Sequence, residues 1–179
     1  MKKLIMILLA VGVIGSMTFT GCAQSSGLEA RVQALEDIEE IQQLKCMFAY
    51  YADEGNVDGM VGLYVDDAVC DFGPFGVYNG TEEIRGFFAG LPAGMPFTMH
   101  YIHNHVVHVT GDTATGEAYF EVPATMVAEP ANKAMWIAGK YVEDYVRVDG
   151  EWKYKKVTAL WYYFTPYEEG WVETPMYGE

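Results

Sequence analysis

From Leu28 onward the apolar residues Leu28, Val32, Leu35, Ile38, Ile41, Leu44 and Phe48 recur at steps of three and four. That spacing lays one face of an α-helix against a core. It predicts a long amphipathic helix running to about Asp53 and stopped by Gly55-Asn56, with Ser26 and Glu29 spaced as a capping box at its start. A short helix over Val57–Tyr64, weakened by Gly59 and Gly62, comes next, then a strand over Ala68–Phe72 and a turn at Gly73-Pro74. Thr81 opens another helix through Phe88, ended by Gly90 and Pro92.

From Phe97 the period changes to two. Phe97–Val109, Thr113–Val127, Ala134–Val148 and Glu151–Phe164 read as long strands, and Gly111-Asp112 and Asp149-Gly150 mark tight hairpins. Pro123 inside one run predicts an edge position or a bulge. Helices first and then an antiparallel meander define an α+β fold, a strongly curved sheet wrapped around the N-terminal helices.

The extreme N-terminus follows another pattern. Met1-Lys2-Lys3 precedes an apolar run, Leu4–Ile14, far shorter than the ~20 residues that span a bilayer. Residues 1–21 therefore read as a signal peptide. Phe19-Thr-Gly-Cys22 followed by a polar linker over residues 22–27 resembles the lipobox of bacterial lipoproteins. The resemblance implies lipidation at Cys22 and an exported, membrane-anchored protein that touches the membrane only through its lipid.

Composition adds exclusions. The chain has 179 residues, 51% hydrophobic and 20% charged, which suits one compact domain and neither a disordered nor a multi-span membrane protein. A net charge of −14 repels phosphate backbones, so no nucleic-acid partner is expected. Cys46 and Cys70 are expected as buried free thiols, with no zinc-type cysteine pair.

All four histidines lie between positions 100 and 108. In an unbroken strand His103 and His105 share one face, and His100 and His108 the other. His103 and His105 would suit a metal, but the third ligand such a pair needs is missing, so no metal is expected. Asp53 is unusual because a carboxylate in a last helical turn meets the negative end of the helix dipole. Tyr50 shares its helix face.

Several stretches together resemble the SnoaL-like family of the nuclear transport factor 2-like superfamily: Ile41-Gln-Gln-Leu44 with Asp53, Asp66-Asp67-Ala68, Thr98-Met-His100-Tyr101, the Gly111–Gly116 turn, and Tyr141-x3-Tyr145-x-Arg147-x-Asp-Gly-x-Trp152. The resemblance covers residues 28–166 and leaves 167–179 as a tail over a pocket mouth or a subunit interface. It is nearest to the bile-acid dehydratases and hexachlorocyclohexane dehydrochlorinases, with the scytalone dehydratases further off. It implies a cone enclosing an apolar pocket, and a cofactor-independent lyase or isomerase with a small hydrophobic substrate.

By that resemblance Asp53 and His100 are a catalytic dyad, and Arg147 is the basic residue that binds a leaving group or oxyanion. One turn before Asp53, where these lyases carry Tyr or Lys, this chain has Phe48, and Tyr50 or Tyr51 is expected to supply the hydroxyl. Glu121 lies beside the strand position that aligns with an Asp, itself Val122 here. Trp161, within the aromatic group Trp136, Tyr141, Tyr145, Trp161, Tyr162, Tyr163 and Phe164, is expected on the pocket wall, which would suit a flat or polycyclic ligand. Two further readings stay open: a non-catalytic lipoprotein that binds a hydrophobic ligand, and a metal-dependent enzyme using His103 and His105. A homo-oligomer is compatible with all of them.

Overall fold

The computed structural model describes residues 2–178, with side chains from residue 27 onward. The lipidation expected at Cys22 lies outside the described side chains. The chain divides into two compact units, Met1–Asp37 and Ile38–Glu179.

Helix α1 (Lys2–Glu54) supplies the first unit and opens the second. It passes through Ser26, so the capping-box start expected there is not a helix boundary. In the first unit Gln33 donates to Asp37 one turn on (3.0 Å), and Leu28, Val32 and Leu35 are exposed. The apolar stripe is therefore buried only in its second half, at Ile41, Leu44 and Phe48. Among the described residues no helix is long and apolar enough to cross a membrane.

The second unit is the α+β body. After α1 come α2 (Val57–Gly62), β1 (Tyr64–Asp71), a single 3-10 turn, β2 (Val77–Asn79) and α3 (Gly80–Gly94). Then follow β3 (Phe97–Thr98), β4 (Tyr101–Thr110), β5 (Thr113–Met126), β6 (Lys133–Val148), β7 (Glu151–Pro166) and α4 (Gly170–Glu173). The sheet runs β2-β1-β7-β6-β5-β3, with β4 also on β5. Every pairing from β3 to β7 is antiparallel, as the period-two runs require, while β1 joins β7 in parallel. Both hairpins form: Gly111 has φ +60°, and Asp149 and Gly150 have φ +52° and +86°, the positive values that two-residue turns between twisted strands demand.

Several boundaries differ from the sequence expectation. Strand β1 starts at Tyr64, because Tyr64 and Ala68 already face the core. Helix α3 continues through Pro92 to Gly94, its end held by the Met95 N–H on the Leu91 carbonyl, so proline does not stop it. The single strand expected over Phe97–Val109 is broken at Met99-His100 and bulged between His103 and Val106.

The core lies between the inner face of the sheet and Ile41, Leu44 and Phe48 of α1, with Ile84 and Phe88 of α3. The tail belongs to this body. Phe164 N–H donates to the Pro175 carbonyl and Tyr177 N–H to the Phe164 carbonyl, setting Met176 and Tyr177 against the core.

Candidate functional site

Helix α1 ends in two bonds around Gly55, from Gly55 N–H to the Ala52 carbonyl (3.2 Å) and from Asn56 N–H to the Tyr51 carbonyl (2.8 Å). Gly55 takes φ +66°, the left-handed value of such a helix stop. Asp53 is thereby fixed in the last turn, its carboxylate facing the gap between β3 and β4. At that gap the His100 N–H leaves the sheet and donates to both Asp53 oxygens, each at 3.0 Å. His100 Nδ1 lies 2.6 Å from Asp53 Oδ1. One carboxylate thus holds both backbone and ring of His100, and those donors offset the unfavourable helix end.

The imidazole forms part of the wall of a cavity of about 120 Å³. Phe48, Ala52, Phe72, Phe88, Phe120, Val122, Ile137, Tyr141, Trp161 and Phe164 contribute most of the remaining wall. Phe48 is central, its ring meeting those of Phe88, His100, Tyr141 and Tyr154 edge-on. Trp161 is anchored by its indole N–H on the Phe72 carbonyl (3.0 Å). An apolar cavity of roughly 150 Å³ admits benzene. The space here is of the size that admits one ring.

Of the residues singled out from sequence, Asp53, His100, Phe48 and Trp161 converge here. The others do not. Arg147 lies where β6 meets the β4–β5 hairpin, its guanidinium 4.5 Å over Trp152 and its Nε 3.4 Å from Asp112, at the opposite end of β5 from His100. Tyr50 is exposed, and Tyr51 packs beside Gly59, so neither hydroxyl reaches the cavity wall. Glu121 points to the outer face and accepts the Trp136 indole N–H at 2.5 Å, while Val122 faces inward.

The bulge also separates the histidines. Asn104 adopts φ +52°, which adds a residue to the outer face and breaks the alternation. His103 stays outside, stacked on Tyr101, whereas His105 turns inward to Tyr145 and Glu143. The shared face on which a His103–His105 metal pair depends is lost. Among the described residues no group of three or more His, Cys, Asp and Glu is placed to hold a metal ion.

Behind Phe48 lies a polar cluster that the sequence reading missed. Lys45 and Glu143 form a buried ion pair at 2.6 Å, and Tyr145 donates to the second Glu143 oxygen at 2.5 Å. The Lys45 ammonium lies 3.6 Å over the ring of Tyr141. Burial pulls Lys45 below the ordinary lysine range while the Glu143 charge opposes that shift. Burial likewise lowers His105, and pushes the Cys70 thiol up to about 12. The signal was present in the sequence: a lysine within an apolar helical stripe, and a glutamate within an inward-facing alternation, Ile137-Gly139-Tyr141-Glu143-Tyr145. Cys46, expected buried, is exposed.

A curled antiparallel sheet closed by N-terminal helices is an architecture of the nuclear transport factor 2-like superfamily. The chain belongs to the SnoaL-like domain family, whose pattern matches residues 33–158. A type-2 hexachlorocyclohexane dehydrochlorinase superposes with a TM-score of 0.72 and 26% identity, covering 76% of this chain and 92% of that one. A type-3 hexachlorocyclohexane dehydrochlorinase from Novosphingobium barchaimii LL02 gives 0.71 and 25%, covering 76% and 93%. The Kfla4162 protein from Kribbella flavida shares the fold at 0.66 and 22% identity, over 74% and 95%. No curated protein matches the sequence at a significant level.

Proposed function

We propose that the protein is a cofactor-independent lyase or isomerase in which His100 removes a proton from a small hydrophobic substrate and Asp53 orients it. The observation that carries this reading is the 2.6 Å contact between His100 Nδ1 and Asp53 at the wall of an apolar cavity. With Nδ1 bound to the carboxylate, Nε2 is the ring nitrogen left to act as base, and the imidazolium that forms is stabilised by the adjacent charge. Similarity to two hexachlorocyclohexane dehydrochlorinases supports an elimination. Loss of the proton next to a carbonyl or leaving group would be followed by departure of that group or by a double-bond shift.

The base can be tested without knowing the substrate. The protein should catalyse exchange of the α-protons of cyclohexanone with deuterium oxide, followed by proton NMR. His100→Ala should abolish exchange while leaving cyclohexanone affinity within about tenfold, and Asp53→Asn should slow it by roughly 10³-fold or more. Exchange unchanged in His100→Ala sinks the reading. Cyclohexanone binding without exchange in the wild-type protein would favour the ligand-binding lipoprotein instead.

For location, the reading is export and anchoring through a lipidated Cys22, supported by the basic start, the short apolar run and the polar linker. Stable anchoring needs more than one acyl chain. Cells fed labelled palmitate should label the wild-type protein and not Cys22→Ser; a labelled, membrane-bound Cys22→Ser protein counts against it.

A further inference from the structure

We propose that the stretch from Leu28 to Glu36 is a dimerisation seam. It forms a short, parallel, two-stranded coiled coil with the same stretch of a second copy of this chain, whatever the cavity binds.

Leu28, Val32 and Leu35 are 59%, 43% and 67% exposed, whereas Ile41, Leu44 and Phe48 of the same helix are buried. The apolar pattern itself accounts for the difference. The steps from Leu35 to Ile38, to Ile41 and to Leu44 are all of three residues. Each falls short of a full turn of 3.6, so three in succession carry the stripe about half a turn round the helix. In helical phase the exposed residues therefore lie opposite the residues that serve the core. They are a separate seam.

Within that seam Leu28, Val32 and Leu35 follow one another at steps of four and then three, the d, a and d positions of a heptad. A β-branched Val at a with Leu at d selects two strands. Glu39 takes the next a position, and two like charges on the axis end the seam there.

Charge fixes the partner and its direction. In this register Arg31 is at g and Glu36 at e. In parallel chains a g residue meets the e residue five positions further along the other strand, so Arg31 of each copy faces Glu36 of the other. Antiparallel chains would set g against g and e against e, Arg31 on Arg31 and Glu36 on Glu36. The segment is thus complementary to itself in one direction only. Among the described residues neither charge forms an ion pair within its own chain, so both are available to a second copy. The outward side is already satisfied by the bond from Gln33 to Asp37.

Three apolar layers make a weak coil in dilute solution. Two chains held at Cys22 in one membrane, as proposed above, would meet in parallel and at high effective concentration. Anchoring strengthens the seam but does not define it.

The test is disulfide cross-linking of the full chain in intact cells, with Cys46→Ser as the parent protein. Leu28→Cys and Leu35→Cys each put two thiols face to face across a parallel seam, and Ala34→Cys points a thiol away from it. Mild oxidation should give at least about fivefold more dimer on a non-reducing gel for the first two than for Ala34→Cys or the parent. Adding Arg31→Glu to Leu35→Cys should lower the yield about fivefold, and adding Glu36→Arg as well should restore it to within about twofold, because the exchanged charges pair again. Equal yields at all three positions, no cross-link at Leu28→Cys or Leu35→Cys, or a yield indifferent to Arg31→Glu would each overturn the proposal. So would cross-linking of co-expressed Leu28→Cys and Leu35→Cys only to each other, the mark of antiparallel chains. Circular dichroism of the purified variants should match the parent; the positions changed are all exposed, and a variant that fails this check is replaced by Leu28→Ser or Leu35→Ser, read by loss of dimer in sedimentation of the full chain.

Discussion

Identical side chains differ here according to what surrounds them. Cys70 sits in the core, where burial raises its thiol to about 12, whereas Cys46 stands on the open side of α1. Since the thiolate is the nucleophile, iodoacetamide at neutral pH should label Cys46 and spare Cys70 until the protein unfolds, as peptide mass spectrometry would show. Labelling of Cys70 in the native state at a similar rate would contradict the packing described for β1. The same contrast explains what sequence conveyed about the site. Asp53 was legible because a carboxylate ending a helix needs a reason, and His100 because it lay in a resembling motif. Tyr141 was not distinguished from its aromatic neighbours, since only the third dimension shows which ring meets the cavity and Lys45. Lys45 and Glu143 were visible as charges on apolar faces, but 98 residues separate them.

At the scale of the element, irregularities in strands position the chemistry. The gap after β3 releases one N–H for Asp53, and the bulge at Asn104 decides which histidine looks inward. Neither has a marker in the alternation of residues, which reads through both, so the sequence predicted one continuous strand. The β6–β7 pair has its own irregularity at Gly139. A Cβ there would come within 2.3 Å of the Leu160 carbonyl and 2.6 Å of the Phe120 ring. Gly139→Ala must therefore push β7 or drive Phe120 into the cavity. It should cost on the order of 1–3 kcal/mol in urea unfolding and weaken cyclohexanone binding. A variant of wild-type stability would mean that the strands separate freely at this point. Helix and hairpin positions were the legible part, because period, Gly55 and the two Asp/Gly turns act locally.

Taken whole, the body encloses polar groups in an apolar shell. The hydroxyls of Tyr64, Tyr145 and Tyr154 are held above the ordinary tyrosine value by burial and by the Glu143 charge. A raised value means that the folded state keeps its proton more firmly, so this stability is intact below about pH 10 and is lost as pH climbs toward the folded values. Lys45, lowered by burial, acts in the opposite sense, one amine against four phenols once Tyr141, also raised by burial, is included. Stability should therefore decline above about pH 10, the buried phenols ionising only as the fold opens. Ultraviolet difference titration alongside circular dichroism checks this; a single smooth phenol titration with the fold intact would refute it.

The parallel pairing of β1 with β7 has a consequence in time. Val69 lies opposite Lys156 and Cys70 opposite Val157, so an early strand finds its partner only in the final one. Contacts between segments so distant along the chain are slow to form, because the intervening loop must close before any bond rewards it. Asp53 and His100, by contrast, can meet once the chain has reached β5. On a growing chain the Asp53–His100 contact can thus form while its cavity still lacks the wall that Trp161 and Phe164 complete.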